Sequence, residues 1–179
     1  MKFLSQKWVV VFLVSALANL PLYADCTQYT CDLGPTVPCE QLIWNNSFID
    51  EDCDAWVSSN VDIVTSPSAY ASFSGSSSAF LYQTVLVPTG YNSNQIDVLI
   101  DITGSSSTAA LYVEIRSSTG VLLQTLDLLS TSSDDGGYQW GPPAEAYEGQ
   151  AVRLQFRYVP GANPGNAEFR ITYVDYYVM

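Results

Sequence analysis

Between residues 148 and 159 the chain reads E-G-Q-A-V-R-L-Q-F-R-Y-V, and apolar side chains fall on every second position. Val152, Leu154, Phe156 and Tyr158 alternate with Arg153, Gln155 and Arg157. Successive side chains of a strand point to opposite faces, so this spacing predicts a half-buried strand. One row enters a core; the other carries two guanidinium groups and an amide. Residues 95–103 repeat the pattern, with Ile96, Val98, Ile100 and Ile102 on one side and Asp97, Leu99 and Asp101 on the other. In residues 109–116, Leu111, Val113 and Ile115 point inward, and Tyr112, Glu114 and Arg116 outward. Ser117-Ser118-Thr119-Gly120 is a turn, so residues 121–128 are predicted to return beside that strand as a hairpin.

Shorter strands are expected at 40–44, 61–65, 69–73 and 79–87, and a last one at 167–178. Ser, Gly, Pro and Asn clusters separate them. Phe48 and Trp56 offer bulky core side chains on either side of the acidic run 50–54, and residues 136–143 read as a loop holding Tyr138 and Trp140. No segment keeps a helical period over three turns. Short strands at this spacing predict one all-β domain, a sandwich or a barrel, over about residues 40–179.

The ends and the charge sharpen this picture. Lys2 and Lys7, an apolar run from Trp8 to Leu20 and Pro21-Leu22-Tyr23-Ala24 have the three-part layout of a secretory signal peptide over residues 1–24. The run is short for a membrane span, so no membrane attachment is expected after cleavage, and the mature protein is expected to be secreted or periplasmic. Removing 24 of the 179 residues leaves 155, with no Lys, no His and only Arg116, Arg153, Arg157 and Arg170 as cations. Eighteen acidic residues stand against these four arginines, a balance of −14. Such a chain repels phosphate backbones, which argues against nucleic-acid partners. Residues 25–39 form an irregular arm containing Cys26, Cys31 and Cys39, and Cys53 follows. Four cysteines behind a signal peptide predict two disulfides rather than a zinc site, since there is no histidine and no C-x-x-C pair. Three pairings are open; Cys26–Cys31 with Cys39–Cys53 closes the shortest loops.

Without histidine no Ser-His-Asp or Cys-His site can form, and no enzyme is expected. Binding chemistry is better represented. The outward row gathers Asp97, Asp101, Tyr112, Glu114, Arg153, Gln155 and Arg157, planar hydrogen-bonding groups beside an aromatic ring. That combination suits a sugar, whose hydroxyls bind amides, carboxylates and guanidinium while a ring covers its apolar face. Tyr138 and Trp140, with Tyr91, are further platforms. A cross-strand network of Glu114, Arg153 and Arg157 that only solvates the sheet would produce the same pattern.

Several stretches resemble a known family. Leu42-Ile43, Asn45-Asn46-Ser47-Phe48 and Trp56 eight residues on resemble the opening of the galactose-binding-like jelly-roll domains, which include carbohydrate-binding modules of secreted glycoside hydrolases. Ser74-Gly75-Ser76-Ser77-Ser78-Ala79 with Gln83-Thr84-Val85 resembles the next landmark. Ala146-Tyr147-Glu148-Gly149-Gln150 before Val152–Phe156 resembles the penultimate strand, and Asp175 stands where the terminal strand often has an Asp. The resemblance implies a two-sheet antiparallel jelly-roll β-sandwich and a secreted, non-catalytic module for extracellular carbohydrate. The alternative is a structural or adhesive protein that contacts another surface protein. No cofactor is required. The family's structural calcium would draw on Asp175 and Asp50, although Ile49 stands where the family often has Glu.

Overall fold

The structure, a computed structural model, describes residues 39–49, 53–65, 67–106, 108–142 and 146–179. The expected signal peptide and most of the cysteine arm lie outside the described residues. Among the described residues eleven strands follow in order: β1 (Glu40–Gln41), β2 (Val57–Ser59), β3 (Asp62–Val64), β4 (Tyr70–Ser74), β5 (Ala79–Leu86), β6 (Asn94–Thr103), β7 (Ala110–Ser117), β8 (Leu122–Ser130), β9 (Gly136–Trp140), β10 (Ala151–Val159) and β11 (Glu168–Val178). One sheet has the order β3-β4-β11-β6-β9, with β1 also on β11; the other runs β2-β5-β10-β7-β8. All pairings are antiparallel. From β4 onward the chain crosses between sheets at every connection except the β7–β8 hairpin, which is jelly-roll topology. The predicted hairpin and the predicted two-sheet sandwich are both present.

The core lies where the period-two rows meet. Ile96, Val98 and Ile100 of β6, Leu111 and Val113 of β7, and Leu154 and Phe156 of β10 are all buried between the sheets. Trp56 belongs to this core: its ring centroid lies 5.3 Å from that of Phe48 and 6.5 Å from that of Phe156, and its Nε1 donates to the Asn45 carbonyl at 3.0 Å. Gln83 is the polar exception. It points inward from β5, and its amide meets the backbone N and O of Trp44 at 2.8 and 2.9 Å, so the buried amide is satisfied and the segment after β1 is held down.

In β11 the apolar rows change parity. Phe169 and Ile171 are buried, then Val174, Tyr176 and Val178, and the register shifts between Ile171 and Tyr173. A bulge of one residue lets both halves of a long strand keep their apolar sides inward, where a regular strand would expose one of them. Two expectations are corrected here. Residues 136–140 form strand β9 rather than a loop, and Val57–Ser59 is an additional strand. Gly136-Gly137 and polar Gln139 disguised the former; the latter has three residues, too few for a period to emerge.

Cys39 and Cys53 are both disulfide-bonded, and no described cysteine is free. Cys26 and Cys31, and with them the expected Cys26–Cys31 pair, lie outside the described residues. Denatured, unreduced mature protein is expected to show no reactive thiol; two or more per chain would refute the two-disulfide expectation.

Candidate ligand-binding face

The outer surface of the five-stranded sheet is built by register. Arg153 of β10 lies opposite Arg116 of β7 and Thr84 of β5; Gln155 lies opposite Glu114 and Tyr82; Arg157 lies opposite Tyr112 and Phe80. Five of the seven expected glycan-contact residues, Tyr112, Glu114, Arg153, Gln155 and Arg157, thus share one face. Val57 on β2 and Leu128 on β8, paired with Tyr82 and Tyr112, extend it with exposed apolar side chains.

Two arginine–tyrosine stacks organise this face. The Arg157 guanidinium sits 4.0 Å over the Tyr112 ring, and that of Arg153 sits 4.4 Å over Tyr82, which itself stacks with Phe80 at 6.0 Å. A guanidinium over an aromatic ring is attracted by the ring's negative face and is held flat. Between the stacks Glu114 is buried, its side chain 1% exposed. Arg157 Nη2 donates to its Oε1 at 2.7 Å, and Arg116 Nε and Nη2 both reach Oε2 at 2.8 Å. Burial pushes the Glu114 carboxyl up, but the hydrogen bonds and charges of Arg157 and Arg116 outweigh it and hold it below the usual value.

The β7–β8 turn supports both outer arginines. Arg116 Nη1 donates to the Gly120 carbonyl at 2.8 Å, and Arg153 Nη2 donates to the Ser118 carbonyl. Gly120 has φ +91°, and a Cβ there would sit 3.3 Å from Arg153 Nη1, so conformation and space both favour glycine. The expected network is therefore corrected in one member: Glu114 is bound by Arg116 and Arg157, not by Arg153. Arg153 is closer to Tyr82 and the turn.

Other expected positions fall elsewhere. Asp97 and Asp101 lie on β6, in the other sheet, so they do not share the face of Tyr112. Asp97 there accepts from Gln95, Gln139 at 2.9 Å and Tyr177 at 3.2 Å. Tyr138 and Trp140 pair with the buried residues Val98 and Ile96 and stack on one another at 5.8 Å. Trp140 Nε1 donates to Asp127 of β8 at 3.2 Å. These rings close the sandwich edge between β9 and β8, apart from the stacks. Tyr91 donates to Glu40 at 3.2 Å. Sequence reading missed Tyr82 and Phe80 as members of the face, and it placed Arg116 outward without counting it among the binding candidates. The alternation Phe80, Tyr82, Thr84 was available, but β5 carries apolar residues on both sides and the period alone does not choose between them.

At Asp175, one of the two residues to which the resemblance points for calcium, both carboxylate oxygens already accept from side-chain donors. Asp175 Oδ1 accepts from Gln41 Nε2 and, at 2.7 Å, from Asn46 Nδ2, and its Oδ2 accepts from the Tyr173 hydroxyl. Gln41 Oε1 takes the backbone N–H groups of Leu42, Ile43 and Tyr176 at 2.9, 3.2 and 3.1 Å, which fixes its amide nitrogen toward Asp175. A hard cation needs oxygen lone pairs where these donors stand. Among the described residues no three His, Cys, Asp or Glu side chains gather as a metal site; Asp50 lies outside them.

No protein-family model matches the chain, and no curated protein matches it. Solved structures do. The arabinose-bound MgGH51 α-L-arabinofuranosidase matches with a TM-score of 0.56 at 15% identity, over 77% of this chain and 26% of that one. The enzymatically active domain of bacteriophage CBA120 tailspike protein 4 matches with a TM-score of 0.53 at 12% identity, over 78% and 21%. This chain therefore spans about a quarter of those two proteins' length or less. TmCBM61, solved in complex with β-1,4-galactotriose, matches with a TM-score of 0.57 at 10% identity, over 78% of this chain and 99% of that one. At such identities the likeness is one of fold: the chain is an antiparallel jelly-roll sandwich of the kind found in carbohydrate-binding modules.

Proposed function

We propose that this protein is a secreted, non-catalytic module that binds extracellular carbohydrate on the outer face of β5, β10 and β7. The observation that carries this reading is the pair of arginine–tyrosine stacks flanking Gln155 and Glu114. Phe80, exposed beside the Arg153–Tyr82 stack, offers cover for the apolar face of a sugar, and the guanidinium and amide groups held nearby offer directed hydrogen bonds to hydroxyls. The fold shared with TmCBM61 supports it. Glycosidic cleavage normally needs two carboxyl groups flanking the bond. Glu114 is the one acidic strand residue on this face, it is doubly ion-paired, and its pKa is lowered rather than raised as a general acid requires.

A glycan array or polysaccharide pull-down with the mature protein tests the reading. Tyr112→Ala is expected to weaken binding by about 0.5–1.5 kcal/mol without unfolding the domain, since the ring contributes little to the core. Gln155→Ala is expected to cost about 0.5–1.5 kcal/mol, one net neutral hydrogen bond. A loss confined to Trp140→Ala would move the site to the β8–β9 edge. A second reading, adhesion to another surface protein, rests on exposed Val121, Leu122, Leu123 and Leu128, all on or beside the edge strand β8. It moves ahead if neutral and acidic polysaccharides all fail to bind the wild type.

A further inference from the structure

Three of the four arginines left after signal removal stand on one face of an acidic protein. The outward strand residues of that face carry Arg116, Arg153 and Arg157 against Glu114 alone. Glu114 engages two of them, Arg116 and Arg157. Arg153 has no carboxylate partner among the described residues. It also lies directly opposite Arg116 on the neighbouring strand, an arrangement of like charges that costs stability unless an anion intervenes. Its donors are incompletely used: Nη2 meets the Ser118 carbonyl, whereas Nε is buried without a hydrogen-bond partner. A cation left unpaired among 18 acidic side chains has many available neutralisers, and among the described residues none is placed beside it.

We infer that the face selects sugars bearing a carboxylate, uronic-acid units, with Arg153 as the residue that reads the charge. This rests on the carbohydrate reading above and deepens it. The Tyr82 ring beneath Arg153 holds the guanidinium flat, with Phe80 exposed beside it. A uronate pyranose placing its apolar face on Phe80 brings a planar anion toward a planar cation, the geometry in which guanidinium outperforms ammonium. The mature balance of −14 works in the opposite direction at long range, so dense polyanions are disfavoured and recognition is short-range.

The matched probes are trigalacturonate and its methyl ester, which differ in charge at the carboxyl groups, with galactotriose as an uncharged control. Titration into the mature protein is expected to show trigalacturonate bound at least about tenfold more tightly than the ester, as one charge-assisted hydrogen bond provides. Arg153→Gln should bring the ratio of the two affinities close to one, and Arg153→Lys, which keeps the charge and loses the planar fork, should leave an intermediate ratio. Circular dichroism and thermal melting establish that both variants fold. Equal binding of acid and ester by the wild type, or an unchanged ratio in Arg153→Gln, overturns the inference. If the ester or galactotriose then binds and Tyr112→Ala weakens it, the carbohydrate reading stands without the charge selection. Failure of all three probes also overturns the inference, and the wider polysaccharide screen decides the carbohydrate reading separately.

Discussion

Leu154→Ala is expected to lower the unfolding free energy by about 2–5 kcal/mol. Leu154 is fully buried in β10, the middle strand of the five-stranded sheet, opposite Gln83 on β5 and Ile115 on β7. Both partners are themselves buried, and the backbone on either side is held in ladders, so the sheet has little freedom to collapse into the space the leucine leaves. The loss therefore combines the transfer free energy of the removed methyl groups with the cavity that remains. Against a total stability of about 5–15 kcal/mol, this is a large fraction. Urea unfolding measures it as a lower midpoint at unchanged slope. A loss below about 0.5 kcal/mol, the surface range, would place Leu154 in solvent and reverse the register of the whole strand.

Glu114→Gln is expected to cost about 1–3 kcal/mol. The carboxylate is buried and accepts from two guanidinium groups on its two oxygens; the neutral amide keeps one acceptor, turns the other position into a donor facing a guanidinium, and removes the charge from both contacts. The cost stays below the roughly 3–5 kcal/mol of a fully buried broken pair, because the Arg116 and Arg157 side chains are 19% and 33% exposed and can reach water. The pH dependence has a definite sign. The Glu114 carboxyl is held below its ordinary 4.5 in the folded protein, so the unfolded chain takes up the proton first as pH falls. Its contribution to stability is complete above that ordinary value and is lost as pH falls through the lowered folded value. Glu168 shifts the same way, chiefly through its hydrogen bond with Arg170. The difference between wild type and Glu114→Gln isolates Glu114: acid should destabilise the wild type more steeply. Parallel pH–stability curves would sink the account.

The alternation in β6, β7 and β10 was read correctly because each of these strands has one mainly apolar row and one mainly polar row. A period of two then decides the face without knowledge of the neighbours. β5 resists the same treatment: Phe80 and Tyr82 on one side compete with Leu81 and Val85 on the other, and pairing with β10 decides. β9 was hidden by Gly136-Gly137, residues with no side chain to carry a period. In β11 the row changes parity at the bulge near Thr172, which no fixed-period reading anticipates.

The candidate face divides along the same line. That Arg153, Gln155 and Arg157 leave one side of one strand, and Tyr112 and Glu114 one side of another, follows from the sequence, because side-chain direction is a local property of the backbone. Which strands lie next to each other is not local. Antiparallel pairing across long connections set Glu114 beside Arg157, brought Tyr82 under Arg153, and sent Asp97 and Asp101 to the opposite side of the sandwich. The amino-acid order by itself determined an all-β domain, sandwich or barrel, with a charged outer row, and the inward and outward faces of its central strands. That Arg157 pairs with Glu114, and that Arg153 is left with no carboxylate among the described residues, was decided only by tertiary structure, since such pairing depends on distances between residues dozens of positions apart.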